Sequence, residues 1–199
     1  MKKLVFLLLT ALQSATTYAQ VTKAPNGILV TAKGHQVGLF ATNAAFCLSL
    51  NDSAAPAPLQ SIFIEHYTSS SYTLISTPPL YGIKTAFGTL MINANTGNWS
   101  LYDATNKALI QDGTYAFTDS SSVIAYPATG IDYGAGNISS KNLEKDQSGS
   151  AVNNGLAGIP YLWNTKGYSA FGVSVSDDAP ATWAKAGKQL NWQYKARAA

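Results

Sequence analysis

An aromatic-rich stretch near the C-terminal end carries residue types that could bind a sugar. Tyr161, Trp163 and Tyr168 lie on either side of the polar segment 164–167, which has the sequence Asn-Thr-Lys-Gly. This spacing predicts a hairpin in which Gly167 takes the left-handed closing position. Aromatic rings can stack on the apolar face of a sugar, but they also fill cores and interfaces, so both interpretations stay open.

Alternation along the first strand of this hairpin divides its side chains between two faces. Successive side chains of a β-strand point to opposite sides of the sheet. Ile159, Tyr161 and Trp163 are therefore expected on one face, and Leu162 on the other. If the hairpin binds a sugar, we expect Tyr161, Trp163 and Tyr168 to contact it.

The sequence offers no convincing residues for glycoside cleavage. That reaction normally uses two carboxylates that flank the scissile bond, and the chain has only 10 acidic residues, many of them in turn-like segments. Glu65 and His66 are an adjacent acid and base, but neighbours in a strand point to opposite faces. We therefore assign no catalytic residue.

Metal and thiol chemistry lack the usual residue spacing. His35, His66 and the single cysteine, Cys47, are far apart in the sequence, whereas metal ligands converge at short spacings. Cys47 falls in a strand-like run and is interpreted as a small buried apolar residue. The adjacent Asp177 and Asp178 are interpreted as a solvated turn. The sequence thus predicts neither a metal site nor a cofactor.

The pattern along the chain predicts strands. Apolar residues recur with a period of two in short runs that end at Gly, Asn, Asp or Pro. The runs are 28–32, 36–40, 45–50, 61–66, 83–92, 99–102, 108–110 and 123–126. No long helical stripe is present, so we predict an all-β, largely antiparallel β-sandwich over residues 20–199. Residues 134–158 interrupt the pattern as a long polar loop, of a kind that is usually functional or mobile.

The first 19 residues predict a signal peptide. Lys2 and Lys3 precede an apolar run at 4–9 that is too short to be a lasting anchor, and small residues lead to a cleavage site after Ala19. The protein is therefore expected to be exported, to the periplasm or outside the cell. A retained signal anchor is the alternative.

The charge of the exported chain argues against two classes of partner. Without Lys2 and Lys3 it has 11 basic residues against 10 acidic ones. Nucleic-acid binding needs clustered Lys and Arg to neutralise phosphates, and attachment to an anionic membrane needs a similar cluster. We expect neither partner.

Three segments resemble the N-terminal domain of glycoside hydrolase family 31. "DYGAGN" at 132–137, a polar loop and "GIPYLWNTKGYSAFGVSVSDDAPATW" at 158–183 follow that domain's order of a Tyr-Gly-x-Gly segment, a loop, an Ile-Pro-aromatic strand and a Gly-Tyr-small-aromatic strand. Upstream, "FGTLMINANTGNWSLYDATNKALIQDG" at 87–113 resembles the hairpins of the same domain. The similarity spans nearly the whole chain after the signal peptide.

This resemblance implies a galactose-mutarotase-like β-sandwich. In family 31 the domain precedes a (β/α)₈ barrel that holds the aspartate nucleophile and the acid/base residue, and it lends a loop to the substrate pocket. That loop corresponds to a segment within 137–154, and Asn137 stands where an acidic residue is more usual. The resemblance thus implies Asn137 as a further candidate sugar contact. It also implies two partners, carbohydrate and a family 31 barrel in cis or in trans.

Three functions are consistent with these observations. The first is a non-catalytic N-terminal accessory domain of an exported family 31 α-glycosidase, in a truncated or split form. Such a chain should expose the apolar face that meets the barrel and self-associate. The second is a stand-alone carbohydrate-binding module that uses Tyr161, Trp163 and Tyr168. The third is an aldose epimerase, which pairs a histidine with a carboxylate, but neither His35 nor His66 has an obvious acid opposite it.

Overall fold

A computed structural model describes most of the chain after the predicted signal peptide. The described residues are 21–42, 45–51, 71–118, 121–127, 129–134, 148–150, 152–153, 156–157, 161–172, 182–186 and 188–195. Every regular element within these ranges is a β-strand, and every strand pair is antiparallel. The signal peptide, the predicted strand 61–66 and the pair Asp177–Asp178 lie outside the described residues.

The strands form a first sheet, a large sheet, a small sheet and a separate pair. In chain order they are β1 (Val21–Ala24), β2 (Gly27–Ala32), β3 (His35–Ala41), β4 (Phe46–Asn51), β5 (Thr73–Thr77), β6 (Leu80–Thr85), β7 (Gly88–Asn93), β8 (Trp99–Asp103), β9 (Ala108–Thr118), β10 (Ser121–Pro127), β11 (Asp132–Gly134), β12 (Ser148–Ser150), β13 (Val152–Asn153), β14 (Leu156–Ala157), β15 (Tyr161–Asn164), β16 (Tyr168–Phe171), β17 (Thr182–Ala186) and β18 (Gln189–Lys195). The first sheet has the order β1-β2-β3-β4, the large sheet β12-β17-β18-β10-β9-β8-β7-β6-β5, and the small sheet β11-β15-β16. Strands β13 and β14 pair with each other.

The first and large sheets pack face to face, which makes the fold a β-sandwich. Alternate residues of β2 and β3 point inward and meet residues of the large sheet, together with one strand of the small sheet, in one apolar cluster. Its fully buried members are Ile28, Val30, Ala32, Val37, Leu39, Ile83, Ile92, Leu162 and Leu190. Two tyrosines of the large-sheet side also bond to backbone of the first sheet: Tyr72 Oη donates to Gly27 O and Tyr115 Oη to Ala32 O, each at 2.7 Å. The predicted all-β antiparallel sandwich is confirmed.

The predicted strand 83–92 is divided into two strands in the structure. The apolar run 83–92 predicts a single strand with a bend at Gly88, but β6 and β7 lie side by side and reverse direction between Thr85 and Gly88. Phe87 N donates to Thr85 Oγ1 at 3.3 Å inside this turn. Because Thr85 pairs with Gly88, the residues that share a face change from odd numbers in β6 to even numbers in β7. The run contains no Asn, Asp or Pro to mark this reversal. The prediction of one strand is therefore wrong here.

Gly88 is needed for close approach rather than for a bend. A Cβ at this position would lie 2.4 Å from the backbone carbonyl oxygen of Tyr102, on the neighbouring strand β8. Any larger residue would push β7 away from β8.

None of the described residues forms a helix of the length and apolar character needed to cross a bilayer.

Candidate functional site

The predicted aromatic hairpin forms the centre of the small sheet. Strand β15 pairs with β11 on one side and with β16 on the other. The turn between β15 and β16 closes with Gly167 N donating to Asn164 O at 3.0 Å, and Gly167 has φ 94°. A positive φ is easily adopted only by glycine. The predicted hairpin and the role of Gly167 are confirmed.

The outer face of the small sheet carries a row of exposed aromatic side chains. Trp163 lies directly opposite Tyr133 on β11 and Ser169 on β16, and Tyr161 lies opposite Phe171. Residues that pair directly in an antiparallel ladder share a face. Tyr161, Trp163 and Phe171 are 42%, 40% and 37% exposed, respectively. We call Tyr133, Tyr161, Trp163, Ser169 and Phe171 together the aromatic platform.

Two contacts order the aromatic platform. The rings of Tyr133 and Trp163 stack with centroids 4.6 Å apart and an interplanar angle of 18°. Tyr161 Oη donates to Ser169 Oγ at 2.9 Å, which links the two strands of the hairpin diagonally. The side chains are therefore held in place before any ligand arrives.

Tyr168 does not belong to the aromatic platform. It pairs with Asn164, and Asn164 and Leu162 point to the inner face of the small sheet, where all three are buried. The predicted separation of Tyr161 and Trp163 from Leu162 is confirmed, but the structure does not bring Tyr168 together with Tyr161 and Trp163. Asn137 and Ile159 lie outside the described residues.

A buried polar network lies directly behind the platform. Asn164 Nδ2 donates to Asp132 Oδ1 at 2.6 Å. Lys185 Nζ lies 3.7 Å from Asp132 Oδ2, and the two side chains are only 4% and 0% exposed, respectively. Because Asp132 begins β11 and Lys185 lies in β17, this ion pair joins the small sheet to the large sheet. It anchors the strand that carries Tyr133.

Sequence reasoning missed several of these residues. Tyr133 lies in the "DYGAGN" segment, and its alternation with Asp132 is the signal that places the two side chains on opposite faces. Phe171 could have been found in the same way from its position opposite Tyr161. Nothing in the sequence links Lys185 to Asp132, because the two residues meet only through tertiary packing.

The remaining candidates for chemistry behave as structural groups. Burial raises the pKa of the Cys47 thiol to about 12, so the reactive thiolate is disfavoured at neutral pH. The His35 ring packs on Phe117, with centroids 4.4 Å apart. In the part of the chain that the structure describes, no three His, Cys, Asp or Glu side chains cluster as metal ligands would.

We expect the protein to lose stability at alkaline pH. Burial raises the pKa of Tyr115 from 10.0 to about 12, and burial followed by the negative charge of Asp132 raises the pKa of Tyr168. A group whose pKa is higher in the folded state stabilises fully below its unfolded pKa, and this stabilisation is lost as the pH rises through the folded pKa. The free energy of unfolding should therefore fall above about pH 9, where Cys47 also contributes.

Urea unfolding between neutral pH and about pH 11 measures this effect. Tyr168→Phe should reduce the slope of the alkaline decline, because it removes the buried phenol whose pKa is raised by burial and by Asp132. An equally steep decline in the variant and the wild type would contradict this assignment.

Comparison with known proteins gives a match in structure only. No protein-family model matches the sequence, and no curated protein matches it. A GH31 dextranase of Flavobacterium johnsoniae, in complex with isomaltotriose, matches 88% of this chain with a TM-score of 0.68 and 11% identity, and the match covers 25% of the dextranase. A GH31 alpha-xylosidase from a soil metagenome, complexed with xylose, matches 90% with a TM-score of 0.68 and 12% identity, over 32% of that enzyme.

A third match extends the comparison to another activity. The cycloalternan-forming enzyme of Listeria monocytogenes, in complex with a pentasaccharide substrate, matches 90% of this chain with a TM-score of 0.62 and 12% identity. This chain spans about a quarter of the length of the dextranase and 19% of the Listeria enzyme. The resemblance seen in the sequence is confirmed at the level of the fold: this chain has the β-sandwich fold of a region that makes up 19 to 32% of these enzymes.

Proposed function

We propose that this chain is a non-catalytic accessory domain of an exported α-glycosidase of the family 31 type. The observation that carries the proposal is the coverage of the structural matches, in which nearly all of this chain corresponds to a minor part of much larger carbohydrate-active enzymes. The catalytic barrel that the sequence resemblance implies is the proposed partner, in cis or in trans. Carbohydrate is the proposed ligand.

The ligands of the matched structures suggest the kind of carbohydrate. The dextranase holds isomaltotriose and the xylosidase holds xylose, both of which are neutral sugars. The nearly balanced charge of this chain after the signal peptide suits a neutral ligand. We therefore infer that neutral α-linked oligosaccharides of glucose or xylose are the ligands to test first.

Two assays on the purified chain test this proposal. We expect no turnover of aryl α-glucosides or α-xylosides, because the acid/base and nucleophile of glycoside cleavage are proposed to lie on the partner barrel. We also expect the chain to migrate more slowly in native gels that contain dextran. Turnover that co-purifies with the chain would refute the non-catalytic role, and unchanged migration in dextran and in other neutral polysaccharides would refute carbohydrate binding.

The exposed aromatic platform favours a second candidate, a stand-alone carbohydrate-binding module. Both candidates predict sugar binding, so the gene itself must separate them. An open reading frame for a (β/α)₈ barrel after codon 199, or in a neighbouring gene, would support the accessory domain. Unrelated sequence in both places would support the stand-alone module.

Export is a separate part of the proposal. We propose that residues 1–19 direct secretion and are removed, so that the exported protein begins at Gln20. N-terminal sequencing of the protein recovered from outside the cytoplasm tests this directly. A protein that retains Met1 and sediments with membranes would instead indicate a signal anchor.

A further inference from the structure

We propose that the aromatic platform is the carbohydrate-binding site and that it stacks on the apolar face of a neutral pyranose ring. This inference rests on the proposed function for the class of ligand; the sequence analysis already names Tyr161 and Trp163, and the structure supplies the face and the other members of the site. It assigns Tyr133 and Phe171 to the site alongside Tyr161 and Trp163. It also removes Tyr168, whose side chain lies on the buried face.

The arrangement of the platform suits a flat ligand. Three adjacent strands span about 10 Å, and side chains two residues apart in a strand are separated by roughly 7 Å. Tyr133, Trp163 and Ser169 form one row across these strands, and Tyr161 and Phe171 form the next. Such a surface can cover a sugar ring from one side.

The chemistry of the platform selects a neutral ligand. None of its side chains carries a charge at neutral pH, which leaves an anionic ligand without the Lys or Arg partner it would need. The Tyr133 hydroxyl can donate and accept hydrogen bonds, Tyr161 Oη can accept one while it donates to Ser169 Oγ, and the Ser169 hydroxyl can donate one. Apolar rings beside hydroxyl groups match a pyranose, which presents C–H groups on its faces and hydroxyl groups around its edge.

The exposed area favours a small ligand over a protein partner. A buried aromatic side chain covers about 150–250 Å², so Tyr161, Trp163 and Phe171, each about 40% exposed, offer on the order of 200–300 Å² together. A stable protein interface buries about 800 Å² on each partner. The platform supplies well under half of that area, but enough to cover one face of a small sugar.

The platform is organised in advance of binding. Its inner side is held by buried Leu162 and by the hydrogen bond between Asn164 and Asp132, and its outer side by the stacked rings of Tyr133 and Trp163. A ligand that stacks on fixed rings does not have to immobilise them, which removes part of the entropic cost of binding. This favours measurable affinity from a small contact.

Binding of isomaltotriose, measured by calorimetry, and retardation by dextran in native gels test the site. Trp163→Ala should weaken binding at least tenfold, whereas Trp163→Phe keeps a ring and should stay within a few-fold of wild type. Phe171→Ala, at the other corner of the platform, should also weaken binding. Leu80→Ala is the matched control, because Leu80 is 40% exposed, like Trp163, but lies on β6 of the large sheet.

Each outcome decides the proposal. If near-UV circular dichroism shows folded Trp163→Ala and Phe171→Ala variants that bind as tightly as wild type, the platform is not the site, although the proposed carbohydrate function stands. If the wild type binds no neutral glycan, the proposed carbohydrate function and the assignment of the platform as its site are both wrong. If the variants only convert a dimer to a monomer in light scattering and leave glycan binding unchanged, the platform is a contact between copies, which also overturns the proposal.

Discussion

Replacing Lys185 by methionine is expected to lower the free energy of unfolding by about 3–5 kcal/mol, the cost of removing one partner of a buried ion pair. Lys185 and Asp132 are almost completely buried and join β17 to β11. Methionine keeps the apolar stem of the side chain in the core but leaves the Asp132 carboxylate without its counter-charge. Urea unfolding at neutral pH, followed by tryptophan fluorescence, measures the loss.

A second substitution separates the lost charge from lost packing. In the double variant Asp132→Asn with Lys185→Met, no charge is left buried, and the amide oxygen can still accept the hydrogen bond from Asn164. We expect this variant to recover much of the stability, since apolar or neutral replacements of a whole buried pair are often nearly neutral. A single Lys185→Met variant within about 1 kcal/mol of wild type would show that the pair does not hold the sheets together.

Leu162→Ala should have the second large effect, with a loss of about 2–5 kcal/mol of stability. Leu162 is fully buried and belongs to the apolar core cluster, so its truncation removes apolar contacts and leaves a cavity behind the platform. Thermal and urea unfolding of the variant give the magnitude. A loss below about 1 kcal/mol would mean that the core closes over the gap or that the small sheet is not packed there.

The adjacent residue provides the internal control for this effect. Trp163 follows Leu162 in the same strand but is 40% exposed on the opposite face. Trp163→Ala should therefore cost much less stability than Leu162→Ala while it weakens sugar binding. Leu162→Ala should have the reverse profile at temperatures where it stays folded. Equal stability losses for the two variants would contradict the two-faced hairpin.

Much of the hairpin could be predicted from local sequence. The alternation of Tyr161 and Trp163 with Leu162, and the glycine that ends the turn at Gly167, depend only on residues that are close in the chain. Their consequences, an outer and an inner face and a positive φ, agree with the structure. The all-β class follows from the same short-range pattern repeated along the chain.

Other features could not be predicted from residues that are neighbours in sequence. The turn between Thr85 and Gly88 lies in a run with no Asn, Asp or Pro to mark it, and the close approach of Tyr102 O that requires a glycine comes from another strand. Tyr168 is a different case: it pairs with Asn164 across the local turn, so the register of the hairpin, rather than distant residues, places its side chain on the buried face. Composition alone cannot distinguish these two faces.

Local sequence is sufficient to predict the strand class, the hairpin with its Gly167 turn and the opposite directions of Trp163 and Leu162, because side chains alternate along a strand. The stacking of Tyr133 on Trp163 and the contact between Lys185 and Asp132 arise only when the chain is folded. These contacts join strands that are far apart in the chain. They depend on pairing register and on how the sheets pack, and no short window of sequence contains that information.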